Sequence, residues 1–192
     1  MVYEKKETII LELYKNSRTV FRINDIALLM GKEKEDALYK ILNYYVKSGK
    51  LLNPRKGFYA KKGYKAEELA CLLYPPTYIS LDYVLQRSGI TFQYDSSITS
   101  ISYLTRELEI EGQTFRYRKI KGEIITNTAG IILNQNNINI ATPERAFLDM
   151  LYLNGRYYFD NLHILNKKAV IKLLPIYNSQ ALIKNVNKLL SK

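Results

Sequence analysis

Apolar residues recur at helical spacing through the first fifty positions. Ile9, Ile10, Leu13 and Tyr14 share one face of a helix expected over Glu4–Tyr14, with Lys5, Glu12 and Lys15 opposite. Val20, Phe21, Arg22 and Ile23 make a short β-branched and aromatic stretch. Asn24 is then placed to cap a second helix, Asp25–Met30, with Ile26, Leu29 and Met30 inward and Gly31 ending it. A third helix is expected over Glu33–Ser48. Its stripe of Leu38, Ile41, Leu42 and Tyr45 marks the inner face, and Gly49 stops it. From Lys50 to Lys61, two short runs flank a turn made of Pro54 and Gly57, a hairpin with a basic tip. Three helices and a hairpin, with a tight glycine turn between the second and third helices, follow the order of a winged helix-turn-helix. Residues 1–65 are assigned to it.

The pattern then changes. Residues 66–76 read as a connector with a short helix at Ala66–Tyr74, closed by Pro75-Pro76. Residues 77–192 form the second expected domain. Ser80 is positioned to cap a helix over Leu81–Arg87. Strand-like runs follow at Ile98–Tyr103, Leu108–Ile110, Thr114–Ile120 and Ile138–Ala141. In Thr114–Ile120, Phe115 and Tyr117 alternate with Arg116 and Arg118, the mark of a half-exposed sheet. Thr142-Pro143-Glu144 opens a helix with a cap, a first-turn proline and an acid at the positive end. Asn161–Lys192 reads as two helical pieces broken at Pro175. The fold class expected is α+β: a winged helix-turn-helix, then a mixed α/β domain with a small, mainly antiparallel sheet.

Composition narrows the setting. No apolar run approaches the ~20 residues that span a bilayer, and Met1–Lys6 has neither the apolar core nor the cleavage site of a signal peptide. The one cysteine, Cys71, excludes an internal disulfide and suits a reducing compartment. A soluble cytoplasmic protein without a membrane partner is expected. The net charge is +11, unevenly spread. Residues 1–65 hold 15 Lys and Arg against 7 Asp and Glu; residues 66–160 hold 8 against 11; residues 161–192 hold 6 lysines and no acid. Basic ends around an acidic middle point to a polyanionic partner.

The third helix is the candidate recognition element. Opposite its inner stripe lie Asp36, Lys40, Asn43 and Lys47, flanked by Lys32, Lys34, Tyr39 and Tyr44. Lysines and tyrosines bond phosphate oxygens and set register on duplex DNA; Asn43 is suited to an adenine edge. Arg55 and Lys56 at the hairpin tip would reach a neighbouring groove or backbone. Glu33, Glu35 and Asp36 would repel phosphate if they faced it, which keeps open a winged helix used for protein contact. Catalytic chemistry is sparse: His163 is the lone histidine, no Cys/His cluster can be assembled, and the nine glycines are scattered singly. Glu107, Glu109 and Glu111 are the one candidate set for a metal-dependent nuclease. The competing reading is a solvated strand edge. No cofactor, no metal and no enzymatic activity are expected.

Four stretches carry a family resemblance: the front ending Gly57-Phe58-Tyr59; Tyr78–Leu85 followed by Gly89-Ile90; Phe115–Ile120; and Ile140-Ala141-Thr142-Pro143-Glu144-Arg145-Ala146-Phe147-Leu148-Asp149. Over roughly residues 8 to 155 the chain resembles the AbiEi-type antitoxins of bacterial type IV toxin–antitoxin systems, which act in abortive infection as phage defence. The resemblance implies a winged front that represses its own operon by binding promoter repeats. It also implies a C-terminal domain that counteracts a nucleotidyltransferase-like toxin without a stable complex. Arg106, Arg116, Arg118, Lys119 and Lys121 would form a second, sheet-borne basic patch facing nucleic acid or toxin.

Overall fold

Two compact units arise from the two patterns, one built on Met1–Leu69 and one on Ala70–Asn134 and Ile138–Lys192. The computed structural model describes residues 2–31, 35–134 and 137–191, with side chains from Ile9 and, in the third helix, from Ala37. The class is α+β. Among the described residues no helix is long and apolar enough to cross a membrane.

The first unit runs α1 (Val2–Lys15), β1 (Val20–Arg22), α2 (Ile23–Leu29), α3 (Glu35–Lys47), β2 (Leu52–Arg55) and β3 (Phe58–Ala60). The three strands form an antiparallel sheet with β3 in the centre. Its core draws on every helix: Ile9 and Leu13 from α1, Ile26 from α2, Leu38, Leu42 and Tyr45 from α3, closed by Phe21, Leu51 and Tyr59. Helices this short are held by burying such faces more than by intrinsic propensity. Asn24 is not the cap of α2; it lies inside the first turn. The helix begins two residues earlier because the Asp25 carboxylate accepts from the Arg22 N–H at 3.2 Å and from the Arg18 guanidinium at 2.7 Å. Lys61 closes α1 at its negative end, its ammonium donating to Asn16 O at 2.5 Å and Tyr14 O at 3.4 Å.

Helix α4 (Ala66–Leu73) contains the boundary between the units. Its Glu68 carboxylate, fully buried, accepts from Thr19 N, Thr19 Oγ1 and Val20 N. The second unit continues with β4 (Thr77–Ile79), α5 (Asp82–Arg87), β5 (Ile98–Ser102), β6 (Arg106–Ile110), β7 (Gln113–Lys119), α6 (Gly122–Thr126), β8 (Ile131–Leu133), β9 (Asn139–Ala141) and α7 (Pro143–Asn154). It closes with a 3-10 turn at Leu162–Ile164, α8 (Lys167–Leu173), a 3-10 turn at Leu174–Tyr177 holding Pro175, and α9 (Gln180–Leu190). The six strands lie in the order β6-β7-β5-β4-β9-β8.

This sheet is larger than the expected one and mixed. Three pairings are antiparallel, but β5 with β7 and β4 with β9 run parallel. The parallel β5/β7 pair arises because β7 inserts between β5 and β6. Alternation along a strand reveals which residues share a face but not which strand lies alongside. No element was expected where β4 and α6 form. Ser80 does not cap α5; its hydroxyl is taken by Asp149, and Leu81, at φ 61, holds the cap position before Asp82.

Helix α7 organises the unit. As the sequence indicated, Thr142 Oγ1 accepts from Arg145 N and Pro143 sits in the first turn; Gly155 ends the helix. Its side chains Arg145 and Asp149, one turn apart, are both 0% exposed. Arg145 donates to Ala129 O (2.9 Å) and Ile124 O (2.8 Å), and its Nε lies 3.5 Å from Asp149 Oδ1. Asp149 also accepts from Tyr78 OH (3.1 Å), Ser80 Oγ (2.7 Å) and Tyr177 OH (2.7 Å). One ion pair therefore joins β4, α6, α7 and the turn after α8. Burial, with Asp149 adjacent, holds the Tyr78 and Tyr177 phenols well above their usual range, so both remain donors.

Candidate nucleic-acid interface

The amphipathic pattern of α3 dictates its outer face. With Leu38, Leu42 and Tyr45 buried, Lys40, Asn43, Tyr44 and Lys47 fall on the opposite side, and all four are exposed. None of Lys40, Asn43 and Lys47 has a side-chain hydrogen bond or ion pair among the described residues. Tyr44 packs edge-on against Tyr45, with ring centroids 5.6 Å apart. The stripe therefore offers two ammonium groups, a carboxamide and a phenol from one rigid element. Tyr39 departs from the others: it is half-buried against the core. Burial, with Tyr39 adding to it, raises the neighbouring Tyr59 phenol above its ordinary value. Lys34 lies outside the described residues, as do Lys32 and Glu33, and the side chains of Glu35 and Asp36.

The β2–β3 hairpin turns through Lys56 and Gly57. Gly57 takes φ 83, a conformation costly for any residue with a Cβ. Asn53 Nδ2 stiffens the turn by donating to Arg55 O (3.1 Å) and Phe58 O (2.6 Å). Lys56 is exposed at the tip, while Arg55 is half-buried. Strand register adds a residue that sequence reading missed. Phe58 pairs with Arg22 on one side and Arg55 on the other, so these three side chains share one sheet face. The Arg22 guanidinium stands 5.9 Å from the Phe58 ring. The signal was present in Phe21-Arg22, an inward ring followed by an outward cation, but only pairing places Arg22 beside Arg55.

The sheet-borne patch of the second unit does not form as one surface. Arg116 and Arg118 share the face of β7 that carries Glu107 and Glu109 on β6, because Glu107 pairs with Arg116 and Glu109 with Thr114. Arg106, opposite Tyr117, and Lys119 fall on the other face, and Lys121 precedes α6. Arg116 is moreover engaged, bonded to Asp95 Oδ2 at 2.6 Å and Glu107 Oε2 at 2.8 Å. Arg118 reaches Asn154 Oδ1 at 3.4 Å, and Arg106 lies 5.7 Å from the Tyr74 ring.

The three glutamates do not gather either. Glu107 and Glu109 lie on β6, but Glu111 sits in the two-residue turn with Gly112, at φ 51 and 79. Among the described residues no group of three or more His, Cys, Asp or Glu is placed to hold a metal ion. Cys71 is buried with its Sγ 3.6 Å from Asn139 O, and His163 is exposed.

No family model matches the chain, and no curated protein matches it.

Proposed function

We propose that this protein is a duplex-DNA-binding transcriptional regulator whose first unit is a winged helix-turn-helix, with α3 in the major groove and the β2–β3 hairpin as the wing. The observation that carries this reading is the unpartnered stripe of Lys40, Asn43 and Lys47 on the solvent face of α3. Its residue types divide the work: lysines fix the duplex by its phosphates, and the asparagine reads a base edge. Arg55 and Lys56 on the hairpin, and Arg22 on the adjacent strand β1, supply further cations. The family resemblance extends the proposal to an autoregulatory antitoxin of a type IV system, opposing a nucleotidyltransferase-like toxin without a lasting complex. The shape of the first unit also suits a plain protein-contact module, and the binding experiment separates the two.

That experiment is fluorescence anisotropy with the protein's own upstream DNA against random duplex, across a salt series. Each phosphate contact contributes about 0.9 to the slope of log affinity against log salt. Removing three cations, as in Lys40→Ala/Lys47→Ala/Lys56→Ala, should flatten the slope by about 2.7. The wild-type affinity loss between 50 and 200 mM salt then shrinks by roughly 40-fold in the variant. Asn43→Ala should instead relax preference for the upstream DNA. An unchanged slope, or no preference of the wild type over random duplex, refutes the regulator reading. For the antitoxin half, co-expression with a growth-arresting nucleotidyltransferase-like toxin encoded in the same operon should restore growth; no such toxin, or no rescue, removes that half alone.

A further inference from the structure

Three aromatic rings of the second unit stand in solvent: Phe92 (70% exposed), Tyr94 (81%) and Tyr158 (80%). Their positions are enforced by their neighbours. In the stretch after α7, Tyr157 donates to Asp82 Oδ1 at 2.9 Å, its ring lies tilted 4.9 Å from Phe159, and Phe159 packs 4.9 Å from Phe147. With both flanking rings turned inward, Tyr158 between them faces outward. Phe92 follows buried Thr91 and opens an exposed run through Tyr94. The two segments are tied together: Ile90 O accepts from Asp160 N (2.9 Å) and Asn161 N (3.1 Å), and Asp160 Oδ2 accepts from Phe92 N (2.8 Å). These bonds hold the backbone that carries Phe92 and Tyr158.

Phe92 and Tyr158 flank a cleft of about 290 Å³. It shares Tyr157, Tyr158 and Asp160 with a second cleft of about 380 Å³, walled by His163 and Lys167, and a third of about 150 Å³ adds Arg156 and Lys188. Among the described residues Asp160 is the one carboxylate side chain lining the three, and it is already engaged by the Phe92 N–H. Lys167 is anchored at the rim by donating to Leu190 O at 2.7 Å. The surrounding segment, residues 161–192, carries six lysines and no acid.

We infer that this surface binds single-stranded nucleic acid, with bases stacking on Phe92 and Tyr158 and phosphates held by Arg156, Lys167 and Lys188. Exposed rings beside cations match a polyanion whose flat faces are free. A duplex hides those faces in its own stack. An acidic protein would satisfy the cations but makes no use of paired open rings. The site is independent of the duplex-binding role proposed for α3, and the test separates them.

The intact protein is titrated into a labelled, unstructured single-stranded RNA and, separately, into duplex DNA. Phe92→Ala/Tyr158→Ala should weaken the single strand on the order of tenfold per ring and leave the duplex unchanged. Phe92→Tyr/Tyr158→Phe, which keeps both ring faces, should bind as wild type. Lys40→Ala/Asn43→Ala/Lys47→Ala should do the reverse, losing duplex and keeping single strand. Equal single-strand affinity in wild type and the double alanine variant overturns the inference and assigns the rings to protein contact. So does an intact protein that binds no single strand, or parallel losses on both ligands. Unchanged thermal melting of the variants excludes misfolding, since both rings are largely exposed.

Discussion

Replacing Arg145 by Met keeps the length and apolar stem of the side chain while deleting its guanidinium. The structure specifies what is lost. Asp149 remains fully buried without a cation, and Ala129 O and Ile124 O each lose a charged donor. Breaking a buried pair from one side costs about 3–5 kcal/mol, because the remaining charge has lost its counter-ion; the hydroxyls of Tyr78, Ser80 and Tyr177 still donate to Asp149. The two orphaned carbonyls fall partly within that figure, since a carbonyl short of its donor costs about 1–3 kcal/mol. Against a typical domain stability of about 5–15 kcal/mol, this removes about a fifth of the total or more. Urea unfolding followed by circular dichroism reads it directly. With a urea slope of about 1–3 kcal/mol/M, the midpoint of the transition belonging to the second unit should fall by about 2 M. The double variant Arg145→Met/Asp149→Asn removes the stranded charge and should regain part of the loss. A shift worth less than about 1 kcal/mol in the single variant, or no recovery in the double, refutes the account of the pair as the second unit's internal tie.

Gly130 takes φ 74, and a Cβ there would lie 3.0 Å from Leu173 Cδ1 and 3.1 Å from Arg145 Cβ. Gly130→Ala should therefore destabilise by about 1–3 kcal/mol, and a neutral result in thermal melting would contradict that crowding. Thr142→Ala removes the cap of α7 and should cost about 1 kcal/mol in the same assay, with Thr142→Ser recovering most of it. Asp95 titrates below its ordinary value of 3.8: burial pushes it up, but the Ser97 N–H and the Arg116 guanidinium more than offset that. A depressed carboxylate adds stability above its unfolded pKa and loses it as pH falls through the folded one. The stability gap between wild type and Asp95→Asn should thus be fullest above about pH 4 and close below it, modestly, since the pair is part exposed. A gap that persists at lower pH argues against the assignment.

The elements of the first unit were legible because each is an amphipathic solution to a local problem. The stripe of Leu38, Leu42 and Tyr45 determines both the buried face of α3 and, by exclusion, the exposure of Lys40, Asn43 and Lys47. Thr142-Pro143 likewise announced α7, since capping is settled within four residues. Where capping competes with longer-range partners, local reading failed: Ser80 gives its hydroxyl to Asp149, and Asp25 shifts the start of α2 to follow Arg22.

Partnership between distant residues was decided by tertiary structure alone. Strand alternation showed that Arg116 and Arg118 share a face, yet only the register with β6 set Glu107 beside Arg116 and turned Arg106 and Lys119 away. Arg145 and Asp149 stood in plain view as opposite charges one turn apart on a helix otherwise lined by Ala146, Phe147, Met150 and Leu151. Their burial follows from β4, α6 and Tyr177 closing around them. A periodic pattern is a property of neighbours along the chain and can be read from it. Pairing, register and the desolvation of a charge depend on which segments meet, and that is settled only when the whole unit packs.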